Sequence, residues 1–304
     1  MSARRQARLH RNLKGVDAQA ARLVSVAAPG AHEWMSALPT REIFKFSPEQ
    51  WTVNVALRLG TVMPGFPTTR PPTCVCSTRV DSDCHHMFRC PHGNERQATH
   101  DAVAYEVKKL FEAAGSPTTR EPYHFYVGTN KRPDLVIRSG WVLGSNLQHT
   151  ADIAVVHPCL PSFARAAARY PLSAANRQAK RKSTKYATYN TSHGIARLTL
   201  PFLFEVFGGA AAETSAHIRT LTDRIHGARP FSPGFMRAVT HTYWTRRIVC
   251  TLAKGVADGI NRRLCRAFTN GDRPPPDFIS RAGGFAPDPL DRAAVHVALR
   301  AAQA

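Results

Sequence analysis

Residues 74–92 read "CVCSTRVDSDCHHMFRCPH" and hold Cys74, Cys76, Cys84, Cys90, His85, His86 and His92. No other stretch constrains the fold as strongly. It has too few apolar side chains to bury a core, and the "MPGFPTTRPP" before it has neither helical nor strand period. Something other than hydrophobic burial must fix it. Four N or S donors on a short loop can do so by closing around one tetrahedral Zn²⁺. The most economical set is Cys74, Cys76, His86 and Cys90, with His85 able to replace His86 and with Cys84 and His92 as spares. The C-x-C spacing is tighter than the common C-x2-C, which argues against a generic zinc finger. Four of the seven cysteines fall in this cluster. In a reducing compartment that clustering points to metal rather than disulfides, the competing reading being a reduced loop without metal. With no open ligand position suggested, the zinc is expected to be structural.

The rest of the chain is long enough for a sizeable core: 304 residues, 43% of them hydrophobic. Its charge is unusual, since 41 Lys and Arg against 21 Asp and Glu leave a net +20. Such a surface attracts polyanions, nucleic acid being the commonest. No apolar h-region follows the basic N-terminus, and "LTLPFLFEVFGGAAA" is too short and too interrupted, by Pro201 and Glu205, to span a bilayer. A soluble, intracellular protein without a membrane partner is expected.

Along the chain, 1–66 reads as a basic arm followed by a small helical region that starts at Ser47-Pro48. Residues 67–98 form the zinc segment, 99–230 an α/β core and 231–304 a basic helical extension. "THDAVAYEVKKLFEAAG" is the best helix: Val103, Val107, Leu110, Phe111 and Ala114 form one apolar stripe, Thr99 can cap its start and Gly115 ends it. "PYHFYVG", "RPDLVIRSG", "ADIAVVHP" and "LPFLFEVFG" are short β-rich runs. A helix begins after Pro171, further helices follow Gly209, and a short amphipathic one starts near Leu290. The order helix, strands, helix, strand, helices predicts an α/β fold with a mixed central sheet flanked by helices.

Two of those strands open with an acid, Asp134 before "LVI" and Asp152 before "IAVV". Carboxylates opening adjacent strands can share Mg²⁺ from one side and leave positions for water and a phosphate oxygen. In "AANRQAKRKSTKYATY", Ala175, Ala179, Lys182, Tyr186 and Tyr189 fall on one helical stripe, which Lys182 interrupts; Lys185 flanks it. An inward lysine costs desolvation unless carboxylate or phosphate pairs with it. The bland reading of 180–185 is a solvated basic face or a nuclear import signal. Glu106, bordering the stripe of the long helix, and Glu121 are candidates for a third acid or for solvated flanks. His149 and His157 flank the second acid strand as surface or DNA-touching residues. Arg246, Arg247, Arg262 and Arg263 are expected to grip phosphates. No GxxxxGK[ST], GxGxxG or HExxH occurs.

The ordered series C-x-C…H-x3-C, "RQATHD", "EP", "RPDLVI", "DIAVVHP", "KSTKY" and "PFLFEVFGG", over roughly 33–260, resembles the C-terminal region of site-specific non-LTR retrotransposon proteins. There a CCHC zinc knuckle precedes a restriction-like endonuclease of the PD-(D/E)xK type. The resemblance implies a restriction-endonuclease-like core with a zinc knuckle and helical extensions, and a nuclear DNA endonuclease that nicks target DNA for target-primed reverse transcription. Double-stranded DNA would be its partner, with element RNA as a further one. Asp134 matches the PD acid, Asp152 the second acid, and Lys182 or Lys185 the K-x-x-K-Y lysine, with Mg²⁺ as catalytic cofactor. The usual restriction lysine, two residues after the second acid, is here Ala154, and in this branch the lysine comes from the following helix. Nothing in the chain resembles a reverse transcriptase, so a fragment, a degraded copy or an independent nuclease is expected. The competing readings are a non-catalytic zinc-dependent nucleic-acid-binding protein left as a retrotransposon remnant, and a junction-resolving enzyme with the same core.

Overall fold

The computed structural model describes residues 17–66, 71–122, 132–138, 149–192, 198–227 and 234–269. Among these residues four strands, β1 Thr118–Arg120, β2 Leu135–Ile137, β3 His149–Val156 and β4 Thr199–Glu205, form one sheet in the order β1-β2-β3-β4. The first two pairings are antiparallel and β3 lies parallel to β4. A parallel pair needs a crossover, and α4 Pro161–Ala167 with α5 Ser173–Ser192 supplies it. The remaining helices are α1 Asp17–Val26, α2 Pro48–Leu59, α3 Glu95–Ala113, α6 Ala212–Gly227 and α7 Gly234–Thr269. The expected mixed α/β fold is therefore present as a four-stranded sheet flanked by helices.

Local chemistry sets several boundaries. Ser47 and Gln50 form a reciprocal capping box, Pro48 occupies the first turn and Gly60, at φ 67°, ends α2 in the left-handed region. The expected cap at Thr99 is a correction: α3 starts four residues earlier at Glu95, and Thr99 lies inside it, its hydroxyl donating to the Glu95 carbonyl. The β run begins at Thr118, ahead of "PYHFYVG", most of which lies outside the described residues, as do the arm to residue 16 and the helix expected near Leu290.

Alternation along β4 assigns its two faces. Leu200, Phe202 and Phe204 join Val103, Val107, Leu110 and Phe111 of α3 and Ile248 and Leu252 of α7, whereas Leu203 joins Ala175 and Ala179 of α5. The larger cluster also takes in Ala20, Val53 and Met87, so one apolar core draws on all four sequence segments. The long helix α7 lies on α3 at Gly255, where a Cβ would meet Thr99 Cγ2 at 2.9 Å, too close for any side chain. No helix among the described residues is long and apolar enough to cross a membrane.

Candidate functional site

Two polar constructions lie side by side. In the first, the donor atoms of Cys74, Cys76, His86 and Cys90 all lie within 4.8 Å of one another. Cys74 Sγ is 3.6 Å from Cys90 Sγ, and Cys76 Sγ is 3.2 Å from His86 Nε2. The loop reaches this shape through a tight turn, with Ser77 at φ 65° and its amide donating to the Cys74 carbonyl at 2.8 Å. The Asp81 carboxylate then accepts from the amides of His85 at 2.6 Å and His86 at 2.8 Å, fixing the 3-10 turn His85–Phe88. From α7, the buried Arg263 donates to the Met87 carbonyl and, at 3.0 Å, to Glu95 Oε2. Three sulfurs and an imidazole on so small a scaffold are a group able to chelate a metal. Cys76 is the readiest thiolate: hydrogen bonding to Thr78 brings its pKa down to about 6.

The spare residues sort themselves by direction. Cys84 is buried, which pushes its thiol well up, and among the described residues it belongs to no ligand group; His92 is exposed. His85 does not substitute for His86. Its ring meets that of His157 edge-on at 4.9 Å, and His85, His157 and Cys159 form a second group within 4.8 Å. His149 and His157, read as surface or DNA-touching residues, are both buried, at 4% and 3% exposure. The rings of Phe88 and Phe207 flank His157.

The second construction is a cavity of about 620 Å³ lined by Asp134, Asp152, His100, Lys182, Arg96 and Arg181 among others. Strand register brings the acids together. Leu135 pairs with Ala151 in antiparallel sense, so one step further places Asp134 across from Asp152 on the same face. Pairing has ended by then, and the Asp134 side chain takes its place: Oδ2 accepts from the Ile153 amide at 2.6 Å and meets His100 Nε2 at 3.2 Å. Asp152 shares its face of β3 with Val156, the face that α5 covers. There Tyr186 donates to Asp152 Oδ1 at 2.6 Å, and Lys182 Nζ lies 2.6 Å from Oδ2. The lysine contact is short but off the hydrogen-bonding direction, so it is an ion contact that leaves Oδ2 without a well-aligned donor. Asp152 is 3% exposed, a carboxylate held inside the fold by one cation and one phenol.

His100, one turn into α3, carries no assigned role in the sequence reading, although it stands in the quoted "RQATHD". It lies between Asp134 and Asp101, 3.0 Å from the latter. Burial pulls its pKa down, but the hydrogen bond and charge of Asp134, and then of Asp101, outweigh this and carry it up to about 9. Tyr186 was legible only as a member of the α5 stripe. Both become visible once β3 is set against α3 and α5.

The other candidates lie elsewhere. Lys185 is exposed, its ammonium over the Tyr186 ring at 5.6 Å, so Lys182 alone of the two meets an acid of the pair. Glu106 does not line the cavity: it is 4% exposed and bound to Arg247 of α7 and, at 3.3 Å, to Lys109. α3 turns it toward α7, away from His100. Glu121 pairs with Arg132 at 3.1 Å. Of the arginines expected to grip phosphates, Arg246 is paired with Glu33 at 3.0 Å, Arg247 with Glu106 and Arg263 with Glu95; Arg262 stays exposed. Lysine and arginine side chains lining the cavity are Arg89, Arg96, Arg181, Lys182 and Arg263; of these Lys182 meets Asp152 and Arg263 is tied to Glu95. No protein-family model matches this sequence, and no curated protein matches it.

Proposed function

We propose that the chain is a zinc-organised nucleic-acid-binding protein whose acid cavity hydrolyses phosphodiester bonds of double-stranded DNA with Mg²⁺. The observation that carries the cleavage reading is that Asp134, Asp152 and Lys182 line one cavity, with Lys182 against Asp152. The donor chemistry suits a hard cation, because both acids offer carboxylate oxygen and Asp152 Oδ2 has no well-aligned donor. Mg²⁺ held by Asp134 and Asp152 would supply Lewis-acid polarisation and a more acidic water. The chain's own residues have separate tasks. Tyr186 and the Ile153 amide hold the two carboxylates in place, and Lys182 keeps an ammonium group where charge builds on the phosphate. Arg96 and Arg181 hold the strand on the cavity rim by its phosphates.

Binding without cleavage is the second reading, and the ligand count favours it. Among the described residues, groups of three or more side chains placed to share an ion are the two Cys/His groups, and neither Asp134 nor Asp152 belongs to one. Asp152 already has a cation in Lys182, which can stand in for a metal. On this reading zinc orders the loop, the net +20 surface binds nucleic acid, and cleavage is absent. The retrotransposon resemblance extends the first reading to nicking of a nuclear target site and the second to a degraded remnant.

One experiment separates them. Purified chain is incubated with supercoiled plasmid and Mg²⁺ beside Asp134→Ala, and binding is measured in parallel. Metal-dependent nicking that the variant loses supports hydrolysis. Tight, salt-sensitive binding by both proteins without nicking supports the binding protein, and a preference for branched DNA would point to a junction-resolving enzyme.

A further inference from the structure

The 3-10 turn that presents His86 to the cysteines cannot also present its neighbour there, because successive residues on such a turn point about 120° apart. His85 therefore points elsewhere, toward the turn that follows β3, where His157 and Cys159 project. We infer that His85, His157 and Cys159 form a second zinc site, separate from the Cys74, Cys76, His86 and Cys90 group, which fastens the metal loop to the end of the strand carrying Asp152. It goes beyond the proposed function and does not depend on cleavage.

Three observations carry the site. First, the three donor atoms lie within 4.8 Å of one another. A tetrahedral ion with bonds near 2.0–2.3 Å wants its donors about 3.4–3.6 Å apart, so closure draws them in by up to about 1.4 Å. Second, His157 is 3% exposed and its Nε2 has no hydrogen-bond partner, although almost every buried polar atom has one. Nδ1 receives only a 3.4 Å contact from the Cys159 amide. That contact is long enough to give up when the proton moves to Nδ1 and leaves the Nε2 lone pair for a metal. Third, the donor set is two imidazoles and one thiol, nitrogen and sulfur without hard oxygen, which selects zinc over magnesium or calcium. Phe88 and Phe207, at 4.2 and 5.8 Å from the His157 ring, wall one side with apolar carbon. With three protein donors, water completes the tetrahedron.

The second ion would give the loop what its sequence lacks. The first group ties residues 74–90 to one another, while His85 and His157 lie on different elements and a shared ion joins them across the fold. Loop and sheet then become one rigid unit beside the cavity, whose lining includes both Phe88 and His157.

The test is the zinc content of the full chain, saturated with zinc and dialysed against a weak chelator. Two ions per chain are expected, and one ion in the wild type overturns the inference. His85→Asn should lower the content from two to one, as should Cys159→Ser, while an unchanged two in both variants overturns it. Cys76→Ser separates this site from the other: it should remove the first ion and leave the second. If instead Cys76→Ser leaves no zinc in a folded chain while His85→Asn loses none, the quartet stands and the second site falls. X-ray absorption on the wild-type protein needs no variant to fold. Two sites give a zinc shell averaging four sulfurs to three protein nitrogens, and a shell of three sulfurs to one nitrogen overturns the proposal.

Discussion

The metal loop and the acid cavity share a wall yet are held by opposite means. In the loop, polar chemistry comes first: two residues sit in left-handed backbone, Ser77 at φ 65° and Cys84 at φ 55°, and Asp81 braces the turn. Apolar burial comes second there, through Val80, Cys84 and Met87, which join the main core. In the cavity, burial comes first. Asp152 stands in a strand whose neighbours Ala151 and Ile153 are 0% and 1% exposed, and its position follows from sheet register rather than from any ligand. A loop built around donors should depend on its ion for shape. Acids built onto a packed sheet should keep their places when the chemistry is removed. The difference teaches where each kind of mutation will register, in stability for the loop and in activity for the cavity.

The sharpest way to break that comparison is to strip the metal. Structural zinc contributes on the order of 10 kcal/mol to small zinc-dependent folds. Chelation, or Cys90→Ser, should lower the melting temperature by more than about 10 °C and open residues 74–92 to protease; an unchanged melt would mean that packing alone holds the loop. The cavity should answer the other way. Asp134→Ala and Asp152→Asn should cut Mg²⁺-dependent nicking by about 10³-fold while far-ultraviolet circular dichroism stays native.

Glu106 then separates a buried acid that supports the fold from one proposed to do chemistry. Glu106→Ala leaves Arg247 without its carboxylate and should cost about 3 kcal/mol in denaturant unfolding, with nicking per folded molecule unchanged. Next come the lysines. Lys182→Ala should slow nicking by about 10- to 100-fold, and Lys185→Ala by less than about twofold, since only Lys182 meets an acid. Equal losses would move the lysine role off the geometry of α5.

The smallest effect concerns Glu205, at the end of β4 and 0% exposed. Burial raises its pKa, opposed in part by hydrogen bonds from Ser25 and the Ala175 and Ala174 amides. A carboxyl whose folded pKa is raised favours the folded state below its unfolded value, and that contribution is lost as pH rises through the folded one. Glu205→Gln should therefore be more stable than wild type at neutral pH by about 1 kcal/mol, or about 2–4 °C, with the two melting curves converging as pH falls below the ordinary glutamate range.

Much of this was legible in the residues. The cluster of Cys74, Cys76, His86 and Cys90 could be picked out by spacing because one short loop supplies all four donor atoms. The α5 stripe could be read because 3.6-residue periodicity fixes which side chains share a face: Ala175, Ala179 and Tyr186 are buried, and Lys182 stands among them. Strand positions at "DLVI" and "ADIAVV" followed from β-branched runs. Glu106 was misread because its helix has two buried sides, and sequence does not say which one faces the sheet and which faces α7. Arg246, Arg247 and Arg263 of α7, expected to grip phosphates, are instead paired with acids that the sequence does not bring near them. Their partners Glu33, Glu95 and Glu106 lie more than 140 residues away.

By itself, then, the sequence determined what short-range geometry can determine: the Cys/His cluster on one loop, the helical stripe with its inward lysine, the acids at strand mouths and the excess of positive charge. Tertiary structure alone decided that His100 and Tyr186 hold those acids and that His85 turns away from the cysteines to meet His157 and Cys159. It also decided that three basic residues of α7 are tied down inside the fold. The physical reason is separation along the chain. Periodicity and loop length fix contacts within a dozen residues or so, whereas a partner on another element is chosen by how strands register and which helix face the core claims.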